Sequence, residues 1–182
     1  NVYNGSGHSS SDAVARDPNA WYHVVLKVDN LSGTIYVNGE TVKTGITCKA
    51  TGTVSNHMLI GTYNTSGGND DYFNGLMSHV HFCDGTAYNP TEFGSTDATT
   101  GEWKINTSPS VSYGTNGFFI LKDGNSGTDQ SGQGNNLTVS GTLTPTQDCP
   151  SNIFATWNAN LAMNSTMSLA NGATTGTTGS NY

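Results

Sequence analysis

At 182 residues the chain has room for one large β-sandwich, or for one domain and part of another. Charged residues are 10% of it, with Asn, Ser, Thr and Gly in their place, where about 25% is usual. Six Lys and Arg under a formal charge of −7 leave no basic patch for phosphates, and no apolar run approaches the roughly 18 residues that span a bilayer, so neither nucleic-acid binding nor membrane insertion is expected.

Residues 1–20 are rich in Ser, Gly and Asn and read as an entering loop; the start at Asn1, without a charged-then-apolar leader, suggests a processed chain or a fragment. From Trp21 the apolar residues take a period of two. Tyr22, Val24, Leu26 and Val28 share one face of a strand and Trp21, His23, Val25 and Lys27 the other, which predicts a central strand covered on both faces. The cluster Asp29-Asn30-Leu31-Ser32-Gly33 supplies a turn, Thr34 to Asn38 return, and Asn38-Gly39 marks a second tight turn, because both residues tolerate the positive φ of hairpin turns. Glu40 to Lys43 continues the meander.

His57 to Gly61 reads as a short strand. Tyr72 to Asp84 reads as a longer one bent at Gly75, with Met77, His79, His81 and Cys83 on one face and Leu76, Ser78, Val80 and Phe82 on the other. The stretch from Tyr88 to Ser112 reads as an ordered connector with a helical turn near Asn89 to Phe93, anchored by Phe93 and Trp103. Gly117 to Lys122 is a further predicted strand, with Asn136 to Ser140 as its expected partner across the loop 123–135. Residues 152–158 hold an apolar cluster, and the low complexity of 170–182 predicts a loosely held tail. The whole reads as all-β: an antiparallel jelly-roll sandwich over residues 1–87 that lacks its first strands, a connector over 88–112, and a β-hairpin extension over 113–182 leading toward a second β-domain.

Chemistry-bearing residues are sparse. Cys48, Cys83 and Cys149 are far apart with no CxxC pair, so they are expected as small, packed apolar residues. Glu40, Glu92 and Glu102 stand singly in loops, and no catalytic residue is assigned. His79 and His81 share a strand face, but nothing in the sequence supplies a third metal ligand, and half-buried strand histidines are expected. Two Asx-rich stretches offer the oxygen ligands that calcium requires: Asp70 and Asp71 with Asp84 a strand length away, and Asp123, Asn125 and Asp129 in one loop; the same residues also cap turns without metal. Tyr63, Tyr88 and Trp103 lie in predicted loops, where an aromatic ring either stacks on a sugar or pins a connector to its sheet.

The series Trp21-x-His23-Val24 to Asp29, Ile35-Tyr36-Val37-Asn38-Gly39, Ile60-Gly61 and Phe73-x-Gly75-Leu76-Met77 resembles the laminin-G-like, concanavalin A-like jelly-roll family. That resemblance implies carbohydrate binding and calcium at a loop rim. The family's glycoside hydrolases carry Glu-x-Asp-x-x-Glu on one strand, which is absent, and a polysaccharide-degrading enzyme is the least favoured reading. The second half, through Tyr88-Asn89-Pro90-Thr91-Glu92-Phe93-Gly94, Gly101-Glu102-Trp103, Tyr113-Gly114-Thr115-Asn116-Gly117-Phe118, Asp129-Gln130-Ser131-Gly132-Gln133-Gly134-Asn135 and Asp148-Cys149-Pro150 onward, is similar to virion proteins of tailed, particularly marine, bacteriophages. It implies a non-catalytic structural protein of the virion surface, made in the host cytoplasm. Capsid-fibre, decoration and tail-fibre positions all fit; the partners would be identical chains in a homo-oligomer, other virion proteins and cell-surface glycans. A secreted or cell-surface lectin-like module is the alternative.

Overall fold

Short runs of β-branched and aromatic residues separated by Asn, Asp and Gly produce short strands and tight turns, and the computed structural model contains almost nothing else. It describes residues 2–3, 8–9, 15–17, 19–49, 58–65, 68–70, 72–124, 126–146, 149–150, 167–170 and 175–178. β1 (Val2–Tyr3) and β2 (His8–Ser9) pair first. β3 (Val24–Asp29), β4 (Ser32–Val37) and β5 (Glu40–Thr47) form an antiparallel meander in chain order.

The β3–β4 register runs from Val24 opposite Val37 to Asp29 opposite Ser32, so the turn is tighter than its residue cluster suggests. Asn30 and Leu31 make it alone, at φ 47° and 63°. Leucine disfavours that region, but two positive-φ residues give the twist that adjoining strands require. Asn38 and Gly39, at φ 49° and 81°, repeat the device as expected. Asn38 also clamps the start of β3: its N–H donates to the His23 carbonyl (2.8 Å) and its Oδ1 accepts the His23 N–H (2.9 Å).

β3 is covered on one face only. Val24, Leu26 and Val28 are 62%, 46% and 38% exposed, while Val25 and Lys27 on the other face are half-buried.

β6 (Tyr63–Thr65) and β7 (Gly68–Asp70) form a hairpin, followed by β8 (Val80–Phe82). Two predicted strands are shorter than their apolar content suggested. Residues 58–61 form none, with Met58 and Leu59 exposed, and 72–79 is irregular. His79 sits at φ 51°, which breaks the alternation and delays the strand to Val80.

The turn expected near residue 90 is a 3-10 turn, Pro90–Glu92. β9 (Gly94–Thr96) and β10 (Trp103–Ile105) then form a hairpin inside the stretch read as a connector. Asp97 closes it: its Oδ1 accepts the N–H groups of Thr99 (2.8 Å) and Thr100 (3.0 Å), and its Oδ2 meets Lys104 Nζ at 2.6 Å. The Lys104 hydrogen bond, then those from Thr100 and Thr99, hold the Asp97 carboxyl far below its usual range.

β11 (Phe118–Ile120) is buried at all three residues and pairs antiparallel with β8, Phe119 opposite His81. The expected partner, 136–140, is not a strand. An all-apolar strand needs cover on both faces, and a segment with only Leu137 and Val139, the latter 45% exposed, does not supply it. The largest buried group is therefore Phe93, Tyr113, Phe118, Phe119 and Ile120; Ile35 and Ile46 form a smaller one on the meander. β12 (Met167–Ala170) and β13 (Thr175–Thr178) pair, β13 inside the stretch 170–182 read as a tail and β12 leading into it, and the apolar cluster at 152–158 lies outside the described residues. Among the described residues no helix is long and apolar enough to cross a membrane.

Candidate functional site

β8 carries His81 into the aromatic core. Its ring stacks on Phe119 with centroids 4.0 Å apart, lies 5.3 Å from Phe93 and 6.0 Å from Tyr113, and its Nδ1 shares a 2.8 Å hydrogen bond with the Tyr113 hydroxyl. Burial, reinforced by His79, His23 and Lys122, pushes the imidazole down to about 3, so it is neutral at physiological pH. Burial likewise raises the Tyr113 hydroxyl to about 12. The pair is thus a neutral hydrogen bond inside an aromatic cluster. His79 adjoins the same Phe119 ring at 5.8 Å, with its Nδ1 2.7 Å from Ser78 Oγ.

Opposite this cluster the chain folds around one carboxylate. Asp129 Oδ1 accepts the N–H groups of Phe119 and Ser131, both at 2.9 Å, and Oδ2 accepts the Ser131 hydroxyl and the Asn135 N–H, also at 2.9 Å. Burial opposes the charge, but these bonds outweigh it and hold the carboxyl at about 2. Gly132 and Gly134, at φ 88° and 80°, let the backbone wrap around the acid. Asn135 Nδ2 ties the turn to the carbonyls of Thr115 (2.9 Å) and Gly117 (2.8 Å), and Gln130 N–H donates to the Phe119 carbonyl at 2.7 Å.

Between the cluster and the turn lies a concavity of about 350 Å³. Tyr113 and Phe119 line it together with Pro109, Val111, Ser108, Gln130, Ser131 and Lys122. Lys122 Nζ stands 5.7 Å from the Phe119 centroid and 3.5 Å from Ser108 Oγ. The concavity brings hydroxyl, amide and ammonium groups together with a small apolar surface. Among the described residues no carboxylate lines it.

The sequence-derived candidates lie elsewhere. Trp103 stacks on His23 at 5.7 Å and its indole N–H donates to His23 Nδ1 at 3.0 Å. A Cβ on Gly94 would come within 2.7 Å of the Trp103 ring, and one on Gly39 would strike it as well, so this tryptophan is wedged between two backbones rather than offered as a platform. Tyr88 pins its loop: its hydroxyl accepts the Ser112 N–H at 2.8 Å and its ring meets Phe93 edge-on at 6.3 Å. Tyr63 and Asp70 lie in the β6–β7 hairpin; their side chains, like Asp71 and Asn125, lie outside the described residues.

Asp84 accepts two hydrogen bonds from Asn116, at 2.7 and 3.3 Å, and Asp123 lies in an exposed turn. Asp129 already has four protein donors on its two oxygens. Among the described residues no group of three His, Cys, Asp or Glu side chains comes together. Cys48, Cys83 and Cys149 are half-buried. The sequence reading did not single out Ser108, Tyr113, Phe119, Lys122 or Gln130 as site residues, and Ser131 only as part of the Asx-rich loop that offers calcium ligands. Their common signal was indirect: an all-apolar strand followed by an Asx-rich turn.

Residues 1–93 match a laminin-G-type family model described as the concanavalin A-like lectin/glucanases superfamily. No curated protein and no solved structure matches the chain. The concavity is built from residues beyond that match, but β11, whose Phe119 lines it, pairs with β8 inside the match.

Proposed function

This chain belongs to the concanavalin A-like lectin/glucanases superfamily, and from that premise we propose that it is a non-catalytic carbohydrate-binding protein whose saccharide sits in the concavity between Tyr113, Phe119 and the Asp129 turn. The observation that carries this reading is the lining. Ser108, Gln130 and Ser131 offer groups suited to sugar hydroxyls, and Pro109 and Val111 offer apolar surface suited to the C–H face of a ring. Hydrolysis asks for a carboxylic acid kept protonated, hence a raised pKa, facing a second carboxylate. Asp97 and Asp129 are shifted the other way, and both are engaged by protein donors.

A glycan array followed by titration calorimetry tests the binding, with the amide shifts of Phe119 and Gln130 reporting the location. Binding that shifts those amides without release of reducing ends is the expected result. Release of reducing ends, or a binding footprint elsewhere, overturns it.

A second reading concerns the setting. The ordered phage-like phrases from Tyr88 to Asn135 favour a virion surface protein in which this domain attaches the particle to host glycans and packs against identical chains and other virion proteins. Mass spectrometry of purified particles is expected to find the chain in many copies; its absence from intact particles would remove this reading while leaving the binding proposal in place.

A further inference from the structure

We propose that the concavity selects acidic saccharides, with the carboxylate of a uronate-type sugar held by Lys122; this rests on the carbohydrate-binding reading and narrows it to a ligand class. Of the chain's six Lys and Arg, Arg16, Lys43, Lys49 and Lys104 are exposed and only Lys27 and Lys122 are half-buried. Lys104 is ion-paired with Asp97, and Lys27 donates to Asn89 Oδ1 at 2.9 Å. Lys122 has no carboxylate within ion-pair distance among the described residues, although it is half-buried and lines the concavity. It donates to the neutral Ser108 hydroxyl at 3.5 Å, the outer limit of a hydrogen bond.

A partly desolvated ammonium in that position gains most from an anion that brings its own charge. The surrounding groups permit one. His79 and His81 are both shifted toward the neutral form by burial and hold no competing positive charge. Asp129, between Thr128 and the lining residues Gln130 and Ser131 in sequence, has its oxygens turned into its own turn and covered by four donors. Asp123, next in sequence to Lys122, lies in an exposed turn and is not part of the lining. The apolar surface of Pro109 and Val111 then leaves room for the ring that carries the carboxylate.

The test compares trigalacturonate with its methyl ester, which keeps the skeleton and removes the charge, by calorimetry on the full chain at low and at 0.5 M salt. The acid is expected to bind about tenfold tighter at low salt, the size of one charge-assisted hydrogen bond, and to lose most of that advantage at high salt. Lys122→Gln is expected to bring the acid-to-ester ratio to about one with an unchanged unfolding midpoint, and Lys122→Arg to keep the preference. Equal binding of acid and ester, or a preference that survives Lys122→Gln, overturns the acidic-ligand inference and leaves saccharide binding standing. Failure to bind either probe, together with a silent glycan array, overturns both.

Discussion

Substituting Gly94 by Ala isolates the contact that fastens the β9–β10 hairpin to the meander. Gly94 is buried and its φ lies outside the left-handed region, so Ala adopts its backbone without strain, and the whole effect comes from the added Cβ. That Cβ would stand 2.7 Å from Cε2, Cζ2 and Nε1 of Trp103, well inside van der Waals contact, so the indole must move. Overpacking of this kind costs about 1–3 kcal/mol. Displacing the ring also lengthens the 3.0 Å hydrogen bond to His23, worth about 1 kcal/mol, while the lower entropy of the unfolded chain returns roughly 0.4–1 kcal/mol.

The net expectation is a loss of about 2 kcal/mol, read as a lower urea midpoint with an unchanged m-value. Repeating the substitution in a Trp103→Leu background makes the prediction specific. With the indole gone the Cβ has space, and the penalty should fall below about 0.5 kcal/mol, giving a coupling energy of more than about 1 kcal/mol. Equal penalties in the two backgrounds, or none in the wild type, would refute the wedge.

Protonation of His81 provides a pH test. Its folded-state value of about 3 lies below the unfolded 6.5, so the unfolded chain binds more protons between those values; stability is full above pH 6.5, declines as pH falls toward 3, and loses roughly 3–5 kcal/mol across that window. Urea midpoints from pH 7 to 4 are expected to drop in the wild type and to drop less in His81→Phe; parallel curves would remove His81 as the cause. Asp129→Ala leaves the Phe119 and Asn135 N–H groups without their acceptor and is expected to cost about 2–4 kcal/mol, with loss of Phe119 amide protection in hydrogen exchange; retained protection would contradict the turn described. Because the Asp129 oxygens are filled by protein donors, millimolar calcium is expected to leave the amide shifts of residues 129–135 unchanged, and a saturable shift there would show that the turn opens to a metal.

The hairpin from Trp21 to Gly39 was legible because period-two alternation and Asn-Gly chemistry are local properties. The existence of the two strands and of the Asn38-Gly39 turn follows from them, whereas the exact strand limits, the two-residue turn at Asn30 and Leu31 and the uncovered face of β3 do not. Partnership between distant strands was not legible: Gly117 to Lys122 announced a buried strand, but nothing local distinguishes Val80–Phe82 from 136–140 as its neighbour. Trp103 and Tyr88 illustrate the same limit. Each side chain is equally suited to stacking on a sugar or pinning a loop, and the deciding fact for Trp103 is how closely the backbones of Gly39 and Gly94 approach it. The Asp129 turn was visible as Asx-rich chemistry, yet whether its acceptors face an ion or their own backbone depends on geometry set by Gly132 and Gly134.

The pairing of β8 with β11 also bears on how the chain folds. The β3–β4–β5 meander closes through two tight turns and can form early, since each contact costs little loop entropy. β8 cannot. Its partner lies beyond the whole stretch between Phe82 and Phe118, a much longer loop to close, so the aromatic core around His81 is expected to form after the meander. A chain cut at Phe93, where the family match ends, would keep the meander yet leave β8 unpaired and His81 uncovered. The unit that folds therefore extends well beyond the unit that the family model matches.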